Sequence, residues 1–482
     1  MSIARSKNTR HETPISKDNN MPRITNYSVL VALISMLLVL PLQAQEPAQE
    51  KATPAELRKA EAAALEEKSR QAYENGKYLS FYNANNKLHR MRPYVPDYMY
   101  NMVRACALLG RRSNAYDVML QMQKQGLSYD FNASPDTESI RNSEAYEYMH
   151  GMLVEAGQPA GDGEVIFELP GDPADFEAIA WDPVRERFLI GTVSDGRVLA
   201  VADDGTTELL LKAGPENGMW SINGLAVDQE RNRLWVSSSS TSRYVGTSPA
   251  RKSHGALFEF DLQSLEPIGS YTLPANMPDH ELGSLALTMD GTVYVIDRIN
   301  PIVYRKTPES RTLEAFVSSP DLVQLTDIAV TPDNRRIFVS DAVMGVFIAY
   351  PEEQQSGMLM GDDKLNLAGI SGIEYGFGRL FVLQSGISPQ RLLRLELDEG
   401  HSVVKTVSPM AIALEPFDVP GAATISRDSV YYFANTGSEN RDAGGIVMKS
   451  KVDAGDSIEP PDMRQFQKAM QQQQQQQQPK QQ

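Results

Sequence analysis

TDIAVTPDNRRIFVSD, from Thr326 to Asp341, is the stretch whose reading decides the fold. An apolar strand around Ile328 to Val330 runs into a Pro332-Asp333-Asn334 turn. A second apolar strand, Ile337 to Val339, then returns and ends in a polar pair. Pro, Asp and Asn fill tight turns, and β-branched and aromatic residues on either side favour paired strands. Five further stretches repeat the pattern: EAIAWDPVRERFLIGT (Glu177 to Thr192), NGLAVDQERNRLWVSS (Asn223 to Ser238), GSLALTMDGTVYVID (Gly283 to Asp297), SGIEYGFGRLFVLQ (Ser371 to Gln384) and GAATISRDSVYYFAN (Gly421 to Asn435). Their second residues, Ala178, Gly224, Ser284, Asp327, Gly372 and Ala422, recur 43 to 60 residues apart. One four-stranded propeller blade needs roughly 40–50 residues. The pattern therefore predicts a mainly β protein, a closed six-bladed β-propeller over residues 165–452. Further blade strands are legible as GRVLAVADD (Gly196 to Asp204), GALFEFDL (Gly255 to Leu262) and RLLRLELD (Arg391 to Asp398).

The rest of the chain divides around this core. Residues 1–44 read as a leader whose true start is Met21: Arg23 precedes an apolar run from Val29 to Leu42, and Ala44 closes it. That order matches a cleaved secretory signal, and the run falls short of the roughly 20 residues a spanning helix needs. The expectation is a periplasmic or secreted protein of a bacterial envelope, with no stable membrane span after cleavage. Residues 53–157 carry a helical pattern. Thr53-Pro54-Ala55-Glu56 has the form of a helix start, and Gly76 and Gly110, each between two helix-like stretches, are offset by 34 residues, as are Tyr82 and Tyr116. This spacing resembles the tetratricopeptide repeat and implies a small helical-pair domain suited to a protein partner. Residues 453–482, ending in a glutamine tract, lack the apolar content to bury a core, and disorder is expected there.

Charge and cysteine usage narrow the function classes. With 46 Lys+Arg against 62 Asp+Glu, the net charge of −16 argues against a nucleic-acid partner. Cys106 is the only cysteine, so no intramolecular disulfide forms. No Gly-x-Ser-x-Gly elbow, Cys/His cluster or phosphate loop stands out.

Propeller geometry points to a candidate site. The first strand of each blade lines the channel and the second returns antiparallel, so first-strand starts and second-strand ends share one face. The starts hold Glu177, Asn223, Gly283-Ser284, Thr326-Asp327, Ser371 and Gly421; the ends hold Thr192, Ser238, Asp297, Asp341, Gln384 and Asn435. Such polar residues also serve as ordinary turn caps. Oxygen-bearing side chains converging on one mouth suit a hard cation, and calcium takes 6–8 oxygens. His280, just before the third inner strand, is the best placed of the histidines, and His254 sits at the end of a long blade-two insertion beginning at Ser239.

On the six quoted stretches the chain resembles the SMP-30/gluconolactonase/LRE-like propeller superfamily. That resemblance implies a divalent metal, most readily calcium, with zinc or manganese as alternatives. It places Glu177, Asn223 and Asp327 as candidate metal ligands, to which the second-strand ends add Asp297, and implies a lactonase or esterase acting on a small lactone or ester. Asp327, Asp341 or His280 would then activate water. The sequence departs from the family at Gly283-Ser284, where an Asn-Asp pair is usual, at Leu325-Thr326-Asp327, and at Ser371, where an Asp is usual. A second reading therefore stands beside the first: a non-enzymatic binding or scaffold protein using propeller and helices for contacts.

Overall fold

The computed structural model describes residues 54–170, 175–246, 254–273, 279–436 and 444–455. The leader, Thr53, the tip of the blade-two insertion and the glutamine tract lie outside these residues. Among the described residues no helix is long and apolar enough to cross a membrane, which leaves β-barrel spans unaddressed.

Six sheets form the propeller, and successive inner strands pack in a ring that closes from blade 6 onto blade 1. The inner strands are Phe176–Asp182, Ser221–Asp228, Leu282–Leu287, Leu325–Val330, Ile370–Gly376 and Gly421–Ser426. Every neighbour in every blade is antiparallel, as hairpin connections require. Blade 6 takes its outermost strand, Glu164–Glu168, from the start of the propeller segment, where it pairs with Ile446–Lys451. Chain ends thus meet in one sheet, which ties the ring shut. A two-residue strand, Ala160–Gly161, adds a fifth member to blade 5.

The sheets stay together because apolar side chains alternate along each strand and fill the wedge between neighbouring blades. Six such cores are present, one per blade junction. The closing junction, blade 6 against blade 1, is aromatic: Phe176 and Phe433 stack at 5.8 Å, and Phe188 lies 4.9 Å from Tyr431. Each fully buried ring of this kind contributes roughly 1.5–3 kcal/mol.

Among the described residues five α-helices precede the propeller: α1 (Pro54–Glu74), α2 (Tyr78–Met91), α3 (Pro96–Leu108), α4 (Arg112–Lys124) and α5 (Glu144–Glu155). The helical-pair expectation is met, whereas the repeat-family name is not confirmed. The two glycines offset by 34 residues do equivalent jobs. Gly76 and Gly110 sit at φ +65° and +68°, ending α1 and α3, and the next amide in each case bonds back to Ala72 O or Cys106 O. Only glycine takes this left-handed conformation without strain. Gly76→Ala is expected to cost about 1 kcal/mol, read as a lower midpoint in denaturant titration.

The helical layer shares a core with the propeller. Ala368 and Ile387 of blade 5 are buried among Met99, Tyr116, Met119 and Phe131. A polar fastening completes the junction. Arg391 donates to the carbonyls of Gln125 and Gly126, just past α4, at 3.0 Å each, and to Gln384 Oε1 at 2.7 Å. Asn366 donates to Tyr94 O at 2.9 Å and Gln125 Oε1 at 3.0 Å.

Candidate functional site

All six inner strands carry the same irregularity. Their pairing register slips by a residue near the channel mouth: at Glu177, at Asn223, within Gly283-Ser284, at Thr326, at Ser371 and at Ala422. A bulge leaves its extra residue outside the ladder and re-aims its side chain. In the sixth blade Ala422 occupies the bulge and Ala423 aligns with Ala178, so that copy is displaced by one residue from the expected alignment.

The cavity these bulges surround is lined by Glu177, Asn223, Ser284, Asp327, Glu374 and Ala422, among others, and has a volume of about 40 Å³. A bare ion or a water or two fits there. Small-molecule sites run to roughly 300–1,000 Å³.

Glu177 has both carboxylate oxygens engaged. Oε1 accepts from Arg298 Nη1, and Oε2 accepts from Arg243 Nη2 at 2.6 Å. Arg298 follows the second strand of blade 3 and turns back into the mouth; Arg243 comes from the blade-two insertion. Glu281 Oε1 also lies 3.8 Å from Arg298. Burial, eased by Arg243 and aggravated by Asp297, pushes the Glu281 carboxyl above its ordinary range. Asn223 is fully buried; its Nδ2 donates to Leu282 O at 2.7 Å, which fixes the amide, while Oδ1 has no hydrogen-bond partner among the described residues.

Deeper in, Asp327 is 8% exposed. Its oxygens accept from the backbone N–H of Ile328 and of Ile373, both at 2.8 Å. Burial nonetheless pushes its carboxyl up to about 6, against the pull of those amides, the Ser284 hydroxyl and Arg298. Glu374 is held well above the ordinary carboxyl range by burial first and the Asp327 charge second. At its aligned position the first four blades have Ala180, Ala226, Ala286 and Ala329.

The structure therefore brings Glu177, Asn223 and Asp327 to one cavity. Asp297, Asp341 and His280 do not line it. Asp341 accepts from four backbone amides, those of Val323, Gln324, Val343 and Met344, at 2.6 to 3.0 Å. Asp297 is wholly buried and accepts from the amides of Glu281, Ile299 and Asn300 and from His280 Nδ1 at 2.8 Å. Gln384 holds Asn366 O and Ala368 O. These second-strand ends fasten loops one strand away from the channel, because a buried Asp is a compact acceptor for the amides a tight turn leaves unpaired. His254 donates its amide to Ser240 Oγ and closes the base of the insertion.

A divalent cation fits this donor set poorly. The buried Asn223 Oδ1 would suit one, but Glu177 is neutralised by two guanidiniums. Among the described residues no three His, Cys, Asp or Glu side chains gather as a metal cluster.

A second concavity lies in the helical layer. It measures about 560 Å³ and is lined by α1, α2 and α3 with Val343 of blade 4 at its edge. Arg104 sits 4.5 Å from the Tyr73 ring centre and pairs with Asp136 at 2.7 Å. Asn85, buried, donates to Ser69 Oγ and accepts from Asn101.

No family model matches the chain, and no curated protein matches it. Among solved structures it is similar to a gluconolactonase of Xanthomonas campestris (14% identity, 60% of this chain and 89% of that one, TM-score 0.42). It is also similar to a calcium-binding regucalcin of Agrobacterium tumefaciens (11%, 62% and 97%, 0.44) and to a PQQ-bound aldose sugar dehydrogenase of Streptomyces coelicolor (14%, 61% and 100%, 0.42). Likeness at this level carries no chemistry over to this chain.

Proposed function

We propose that this chain is a metal-independent binding protein, in which a rigid propeller presents the helical groove to a ligand or protein partner. The observation that carries the reading is the double engagement of Glu177 by Arg243 and Arg298, in a cavity of about 40 Å³. The larger concavity, about 560 Å³, is in the helices, and its size is that of a ligand site. The order of residues in the Met21 leader supports export to the bacterial envelope or beyond it.

The divalent-metal lactonase or esterase is the second reading, and the unpartnered Asn223 Oδ1 is the observation in its favour. One experiment separates the two. Purified full-length protein is assayed for bound calcium, zinc and manganese and for turnover of a lactone and aryl-ester panel. The binding reading expects neither metal at stoichiometry nor turnover. In pull-downs from envelope extract it also expects a partner that Arg104→Ala loses and Glu177→Ala keeps. Stoichiometric metal with hydrolysis that vanishes in Glu177→Ala would overturn it. The full chain is required, since the helices share their core with blade 5.

A further inference from the structure

We infer that Arg298 is a resident cation, a guanidinium supplied by the chain itself at the point where the mouth's oxygens would otherwise gather a divalent ion. The inference deepens the metal-independent reading and rests on it.

Three observations converge. The first is the space Arg298 occupies. Gly283 lies at the bulge of blade 3, and a Cβ built there would come within 2.7 Å of Arg298 Nε. A side chain at 283 would require the Arg298 guanidinium to shift, so glycine there leaves the arginine its place. The second is charge. Arg298 donates to Glu177 and approaches Glu281, and its charge also acts on Asp327. One partly buried monocation, 22% exposed, therefore faces three carboxylates contributed by blades 1, 3 and 4. Removing it leaves Glu177 with Arg243 alone, which is 40% exposed and screened by solvent. The third is the Asn223 oxygen. It is buried, its orientation is fixed by the Leu282 bond, and it lines the same cavity with no hydrogen-bond partner. A buried amide oxygen without a partner costs free energy that a cation, or a donor reaching in, would recover. Neither guanidinium donates to it among the recorded hydrogen bonds.

Without the Arg298 side chain, Glu177, Asn223, Asp327 and the Ser284 hydroxyl would offer oxygens to one small cavity. Calcium tolerates such irregular, oxygen-only surroundings and completes its shell with water. The latent site is expected to be weak, with a dissociation constant of about 10⁻⁴–10⁻³ M, the range of sites with few charged ligands.

The test uses chelator-treated full-length protein titrated with calcium by calorimetry, with thermal melting in parallel. Wild type is expected to bind none, and Arg298→Ala about one equivalent with a raised melting temperature. Arg298→Ala/Asn223→Ala should lose that binding. If Arg298→Ala folds and binds no more calcium than wild type, the inference fails while the metal-independent reading stands. If wild type itself binds stoichiometric calcium, the reading fails first. Should Arg298→Ala melt without cooperativity, calcium decides. Recovery of a cooperative melt in calcium supports the inference, and failure to recover, in Arg298→Ala and in Arg298→Gln alike, overturns it.

Discussion

Replacing Arg391 with alanine is expected to destabilise the protein by about 3–5 kcal/mol, through three buried oxygens left without donors at about 1–3 kcal/mol each. Arg391 is 5% exposed and has no carboxylate partner among its recorded bonds. Three of its five N–H donors are taken up by Gln125 O, Gly126 O and Gln384 Oε1. Burial lowers it only to about 10, so it remains a cation at neutral pH. The two backbone carbonyls belong to the end of α4, where unpaired C=O groups carry partial negative charge and favour a cation. Alanine would leave those carbonyls and the Gln384 oxygen buried without donors, and each such loss costs about 1–3 kcal/mol. Arg391→Met fills most of the volume but supplies no donor, so it should recover little. Arg391→Ala and Gln384→Ala should be far from additive, since they cut one network. Urea titration measures the loss, and hydrogen exchange should show it at residues 125–128 and 385–390 first. A loss below about 1 kcal/mol would mean that the apolar contacts of Ala368 and Ile387 alone hold the helices on the propeller.

That junction was invisible in the sequence, for a physical reason. Gln384 and Arg391 flank one hairpin and read as turn residues; nothing local says that Arg391 reaches carbonyls 265 and 266 positions earlier. What was legible was periodic. The strand-turn-strand repeat exposed the six blades, because each blade must alternate apolar and polar positions and turn tightly. The 34-residue glycine offset exposed the helix ends for the same reason: a left-handed turn admits few residues. Site residues were legible where the bulge shares the repeat, as at Glu177 and Asn223. Asp297 and Asp341 had the right residue type and lay on the expected face, but second-strand ends answer to the amides of their own turns. Arg298 was missed because it directly follows one of those aspartates in what reads as a solvent turn. Glu374 did leave a signal. It is an acid inside a strand where four other blades place alanine, and an aligned comparison of the copies would have raised it.

Glu374→Gln is expected to stabilise the protein above neutral pH and to change nothing below pH 4. The sign follows from proton linkage. Glu374 has its carboxyl raised in the folded state by burial and by Asp327, so above pH 4.5 the native protein holds a proton that the unfolded chain releases. Native stability contributed by that proton is complete below the unfolded value and declines as pH climbs through the folded one. Glutamine keeps the shape, remains neutral throughout and removes the decline. Asp327 supplies the internal control. The Asp327 charge helps raise Glu374, whereas Asp327 itself is raised to about 6 by its own burial, with Glu374 not among the causes. Its titration, followed by carboxyl-carbon NMR, should therefore remain near 6 in Glu374→Gln. The reciprocal change is asymmetric: Asp327→Asn removes the charge that Glu374 feels and should lower the Glu374 titration. Equal stability of Glu374→Gln and wild type at pH 8 would show that channel water solvates this carboxylate as well as bulk water does. Glu374 would then titrate as an ordinary acid, while Asp327 would keep the raised value that its own burial gives it.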